Sequence, residues 1–119
     1  WIARRQEIAG RYAAAISNPA VRPMLPPSEI REHAYHLFVV TCEHRDELQQ
    51  HLWDLAIDAL IHYPIPVHLQ EPCRSLTRDP LGLPVAERHG ATCLSLPCHP
   101  SMSDDMVQRV IMAVNRFRA

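Results

Sequence analysis

Proline placement limits the fold of this chain more than any other feature. Eleven of the 119 residues are proline, and each one fixes its own φ and removes a backbone donor. Pro19, Pro23, Pro26 and Pro27 crowd the stretch 19–27. Neither a helix nor a central strand survives there, so the stretch reads as a connector. A second pair stands at alternate positions in His62-Tyr63-Pro64-Ile65-Pro66-Val67-His68, where each proline drives its predecessor toward extended backbone. That segment is expected to be a stiff loop. Pro84 is instead well placed at the first position of a helix.

The segments between these breaks carry regular patterns. Over 2–16, Ile8, Tyr12, Ala15 and Ile16 recur at helical spacing while Arg4, Glu7 and Arg11 lie elsewhere on the wheel. Asn18-Pro19 ends that helix. Residues 35–42 are aromatic and β-branched, a strand with Tyr35, Leu37 and Val39 on one face and His36, Phe38 and Val40 on the other. Both faces are largely apolar, so this strand is expected to be covered on both sides, one of them by a partner surface. Residues 45–56 read as an amphipathic helix. Asp46 and Glu47 suit its positive end, and Leu48, Leu52, Leu55 and Ala56 form its apolar face. Short strands are expected over 57–61 and 92–96, with an irregular stretch at 71–83. Ser103 can cap a last helix whose first turn holds Asp104 and Asp105 and whose core face carries Val107, Val110, Ile111, Val114 and Phe117. Burial of each large aliphatic residue contributes about 1.5–3 kcal/mol, more than a surface ion pair. The alternation predicts a small α+β domain of about three strands backed by helices.

Composition removes several function classes. Apolar residues make up 47% of the chain, charged residues 21%, and the formal net charge is -1, the balance of a core-forming globular chain. No basic stripe is present to hold nucleic acid. No apolar run is long enough to cross a bilayer, and the N-terminus lacks the succession of a signal peptide. A cytoplasmic protein is expected. All twelve basic residues are arginine, which excludes lysine Schiff-base chemistry within this polypeptide. Eight histidines invite a metal reading, yet neither His33 with His36 nor Cys93, Cys98 and His99 follow a zinc spacing, so no metal site is expected. Three glycines form no phosphate loop, and no serine sits in a nucleophile elbow. The four cysteines form no Cys-x-x-Cys pair and read as free thiols, with Cys42 and Cys98 as small buried hydrophobes and not nucleophiles.

The proline-stiffened loop is the chemical focus. A loop of this kind displays His62, Tyr63 and His68 at little ordering cost and is suited to gripping a ligand. The alternative is equally open from the residues alone: Tyr63 and Ile65 pack over the sheet edge, and the two histidines hydrogen-bond backbone groups that the prolines leave free.

Several blocks carry a resemblance to a known family. They are Trp1-Ile2-Ala3-Arg4-Arg5, Tyr35-His36-Leu37-Phe38-Val39-Val40, Arg45-Asp46-Glu47-Leu48, the run from His62 to Gln70, Leu83-Pro84-Val85-Ala86-Glu87-Arg88 and Leu94-Ser95-Leu96-Pro97-Cys98-His99-Pro100. In this order they resemble the C-terminal part of the DegT/DnrJ/StrS family, pyridoxal-phosphate-dependent aminotransferases that act on keto-sugar nucleotides. The resemblance implies a fold-type-I aminotransferase in which residues 1–18 form a linking helix and residues 19–119 the small C-terminal domain. The large domain, with its lysine and pyridoxal phosphate, is absent from this chain. No catalytic or cofactor-binding residue is therefore expected here, and no bound cofactor.

By motif, His62 and Tyr63 would face the sugar-nucleotide substrate, with His68 supporting the loop. Glutamate is the implied amino donor and a homodimer the implied assembly. Because the chain opens at Trp1 inside a helix, it reads as a fragment that is inactive alone. A stand-alone ligand- or metal-binding interaction module is the alternative from another class. Two departures stand out: Ala56 occupies a position that usually holds glycine, where it disfavours a left-handed residue and could shift the following loop, and residues 71–83 match weakly.

Overall fold

The computed structural model describes residues 1–24, 32–76 and 79–119. Helix α1 (Ile2–Ala15) leads to a two-residue strand β1 (Arg22–Pro23), strand β2 (Phe38–Thr41) and helix α2 (Arg45–Asp54). Two single 3-10 turns, Val67–Leu69 and Glu71–Cys73, follow, then α3 (Pro84–Thr92), β3 (Cys93–Leu96) and α4 (Asp104–Arg116). The strands form one antiparallel sheet in the order β1-β2-β3, with Pro23 opposite Val40 and Val40 opposite Leu94. The architecture is α+β, as the alternation of patterns predicts.

The sheet is built from different segments than expected. Residues 57–61 do not form a strand. They contribute one antiparallel bridge, in which Leu60 and Ser95 exchange backbone hydrogen bonds of 3.1 and 2.7 Å. The third strand lies in the proline connector instead. Pro23 is tolerated there because the bonds to β2 come from its neighbours: Met24 N–H donates to the Val39 carbonyl at 3.1 Å, which leaves the proline nitrogen on the outer edge. Pro26 and Pro27 lie outside the described residues.

The strand expected over 35–42 is shorter, because Tyr35 adopts a left-handed φ of 46°. That reversal carries its ring into the core beside Phe38, with centroids 6.2 Å apart. In β2 itself Phe38 and Val40 are buried while Val39 and Thr41 are half-buried, so one face packs on the core and the other is partly open.

Helix α4 carries the clearest sequence signal and forms as expected. The Ser103 hydroxyl accepts from Met106 N–H at 3.2 Å, and Val107, Val110, Ile111, Val114 and Phe117 are all buried. Helix α1 buries Ile8, Ala9 and Tyr12 in the same core, but Ala15 stays exposed. In α2 only Leu48 and Leu52 are buried, since the helix ends before Leu55 and Ala56 can join its apolar face.

Polar groups fasten α1 to α4 at both ends. Near the start of α4, the Asp104 carboxylate receives Arg4 at 2.7 Å and Arg11 at 3.0 Å, and Arg4 also donates to the Met102 carbonyl at 2.8 Å. Near its end, the buried Asn18 amide donates to the carbonyls of Val114 and Phe117 at 2.8 and 3.0 Å. Those carbonyls lie at the C-terminal end of α4, where the Val114 carbonyl also accepts the Phe117 N–H at 3.3 Å and helix acceptors otherwise run short of partners. Tyr12 ties α1 to the segment after β3 by donating its hydroxyl to the Pro97 carbonyl at 2.8 Å. Among the described residues no helix is long and apolar enough to cross a membrane.

Candidate functional site

The loop between α2 and α3 is held from two sides. Leu60 anchors its start to β3 through the Ser95 bridge, and helix α3 supports its middle. Support from α3 depends on Gly90. A Cβ at that position would stand 3.0 Å from the Pro64 carbonyl oxygen and 3.1 Å from the Pro66 ring. Only glycine lets the proline segment lie this close to the helix. The peptide bond between His62 and Tyr63 is cis.

Each expected site residue has a defined place. His62 is half-buried, and its Nδ1 lies 3.0 Å from the Ser95 hydroxyl. Tyr63 follows with its ring edge-on to the imidazole, centroids 5.6 Å apart, and is 73% exposed. His68 places Nε2 3.0 Å from the Glu87 carboxylate on α3. That carboxylate is held below its ordinary range, first by the bond from His68 and then by the Leu83 N–H. Together His62, Tyr63 and His68 line one concavity of about 750 Å³, with Ile65, Leu83 and Glu87 among its other walls. His62 also lies on the wall of a neighbouring hollow of about 410 Å³, near His36 and His99.

The packing alternative expects different contacts at these residues. Tyr63 and Ile65 are exposed. Among the described residues neither histidine uses its ring on a backbone group: one bonds a serine hydroxyl and the other a carboxylate. Their partners, Ser95 and Glu87, were not singled out by the sequence reasoning, although both lie in blocks that carry the family resemblance. Gly90 was also passed over. Its signal was a glycine inside an expected helix, which calls for a packing reason.

Other chemistry finds little support in these residues. Burial pushes the thiols of Cys42, Cys93 and Cys98 up, the opposite of an activated nucleophile. Among the described residues no three His, Cys, Asp or Glu side chains come together as a metal set. Pyridoxal phosphate does not fit this chain's own groups. The sequence holds no lysine to condense with its aldehyde, and the arginines beside the loop are already committed. Arg45 is paired with Asp46 and with the carbonyls of Gly90 and Cys93, and Arg88 is paired with Glu43.

Comparison with known proteins agrees with the residue blocks. The family model of the DegT/DnrJ/EryC1/StrS aminotransferase family matches residues 1–115. Similar curated proteins include the erythromycin biosynthesis sensory transduction protein EryC1 of Saccharopolyspora erythraea, 39% identical over 93% of this chain and 30% of its own length. Another is the dTDP-3-amino-3,6-dideoxy-alpha-D-galactopyranose transaminase of Aneurinibacillus thermoaerophilus, 39% identical over 96% of this chain and 31% of its own length. Among solved structures, S. venezuelae DesV in complex with a ketimine intermediate superposes with a TM-score of 0.87 at 36% identity, covering 97% of this chain and 31% of that one. A family aminotransferase from Brucella abortus gives 0.86 at 32% identity, over 95% of this chain and 30% of that one.

The fold is thus that of a segment of the pyridoxal-phosphate-dependent aminotransferases. The chain belongs to the DegT/DnrJ/EryC1/StrS aminotransferase family, where it corresponds to the C-terminal part of the members. It spans about 30% of the length of the relatives it matches.

Proposed function

We propose that this chain is the small C-terminal domain of an aminotransferase that transfers an amino group, from glutamate, to a keto-sugar nucleotide in amino-sugar biosynthesis. Residues 1–18 form the linking helix and residues 19–119 the domain proper, with α1 packed into the same core. The observation that carries the reading is the loop: its prolines and the Gly90 contact display His62, Tyr63 and His68 on one concavity, in a chain similar to a protein named as a dTDP-amino-sugar transaminase.

In this reading the large domain supplies the lysine and holds pyridoxal phosphate, which provides the electron sink for the amino transfer. This chain's part is to bind and orient. His62 and Tyr63 offer hydrogen-bonding groups to sugar or phosphate oxygens, and His68, tied to Glu87, keeps the loop in place. The exposed apolar side chains of the loop, Tyr63, Ile65 and Val67, form a surface suited to cover by another polypeptide, either the large domain or the second subunit of a homodimer. The working location is the cytoplasm.

Two measurements test the proposal. The isolated chain should show no transaminase turnover, while joining it to a family large domain should restore turnover. In the full-length protein His62→Ala should raise KM for the sugar nucleotide about tenfold, the loss of one hydrogen bond of about 1.4 kcal/mol, and leave the cofactor absorbance unchanged. An unaltered KM would remove His62 from the substrate surface.

A further inference from the structure

We infer that Ser95 is the positioning residue of His62, fixing its neutral imidazole with the proton on Nε2. Ser95 lies in β3, is 5% exposed, and has both its backbone groups taken by Leu60, two residues before His62. Its hydroxyl therefore reaches the imidazole from a frame that is itself tied to the same segment. The Oγ to Nδ1 distance is 3.0 Å, and this imidazole is the hydroxyl's only hydrogen-bond partner among the described residues.

A serine hydroxyl both donates and accepts, and a neutral imidazole has one nitrogen of each kind. Two arrangements are therefore possible. If Nδ1–H donates to Oγ, the hydroxyl proton is left with no acceptor in a buried position. If Oγ–H donates to Nδ1, the buried hydroxyl proton has its acceptor, and the group left over is the Nε2–H of the half-buried imidazole. An unmade hydrogen bond on a buried donor is costly enough to leave the first arrangement a minor species. The proton then resides on Nε2, which has no partner among the described residues.

The consequence rests on the proposed role of the loop. His62 meets its ligand as a hydrogen-bond donor, so the complementary group is an acceptor oxygen, such as a hydroxyl, ring or phosphate oxygen of the sugar nucleotide. Ser95 touches no substrate in this arrangement and acts only through His62, by choosing which nitrogen carries the proton.

The experiment needs no ligand, so its failure is separate from any failure of the substrate reading, which the His62→Ala kinetics tests on its own. Long-range 1H–15N correlation spectra of this 119-residue chain, recorded where His62 is neutral, should show the Nε2–H form of His62 in more than tenfold excess. Ser95→Ala should relax that ratio severalfold toward a mixture, and Ser95→Thr, which keeps the hydroxyl, should restore it. A native chain with His62 mainly protonated on Nδ1 would overturn the inference, as would a ratio unmoved in a folded Ser95→Ala variant. If that variant does not fold, the native spectrum and Ser95→Thr still decide the matter.

Discussion

Ala56 sits at the point where α2 must turn back toward the sheet, and its φ of 54° is left-handed. Two hydrogen bonds show why. Ile57 N–H reaches the Leu52 carbonyl at 2.9 Å and Ala56 N–H the Trp53 carbonyl at 2.8 Å, the paired bonds of a Schellman closure. The closure forms in spite of the methyl group, so Ala56 is a strained residue in an ordinary cap. A left-handed alanine costs about 1–2 kcal/mol, while glycine loses roughly 0.4–1 kcal/mol more conformational freedom on folding. The strain is the larger of the two. Ala56→Gly should therefore stabilise the chain by about 0.5–1 kcal/mol, read as a higher urea midpoint with an unchanged m-value.

Among the elements, the contact between α3 and the proline loop decides how the candidate site is shaped. Gly90→Ala sets two effects against each other. Alanine favours the helix by about 1 kcal/mol, but its Cβ would crowd the Pro64 carbonyl at 3.0 Å, and a loop stiffened by two prolines yields only as a unit. The expected result is a net stability change below about 1 kcal/mol together with displacement of the loop. Thermal melting should barely move, whereas the imidazole resonances of His62 and His68 should both shift. Resonances left in place would show that the loop does not lean on α3.

The same contact explains what the sequence could reveal. Proline chemistry made the loop and the Pro84 helix start legible, because those constraints are local. The glycine contact, the Ser95 bond and the Glu87 bond join residues 19 to 33 positions apart, and no local pattern encodes them. The missed strand has a similar cause. Residues 57–61 have strand-like side chains, but only Leu60 finds a partner, while Arg22–Pro23 pairs because β2 offers it an edge.

At the scale of the whole molecule, the ends of the chain close on each other through α1 and α4. Asp104 is the electrostatic centre of that join. The bond from Arg4 holds its carboxyl below the ordinary value of 3.8, with Arg11 adding to the effect. A depressed carboxylate contributes stability that is present above its unfolded pKa and lost as pH falls through the folded one. Native stability should therefore weaken as pH drops below about 3.8. In Asp104→Asn that part of the acid dependence should be missing, so the gap between the two urea midpoints should narrow from pH 6 to pH 3. A constant gap would mean that the arginines hold the helices without this carboxylate. Unlike the α4 pattern, the join between residues about a hundred positions apart could not be read from spacing, although the residue blocks that carry the family resemblance already included Arg4.

Pro23 has a further effect at this scale. With no N–H to offer on the side of β1 away from β2, it makes that border a poor template for another extended chain, so stacking of one copy's ribbon against the next is discouraged there. A domain protected in this way can present a sticky loop and still avoid zipping into fibres.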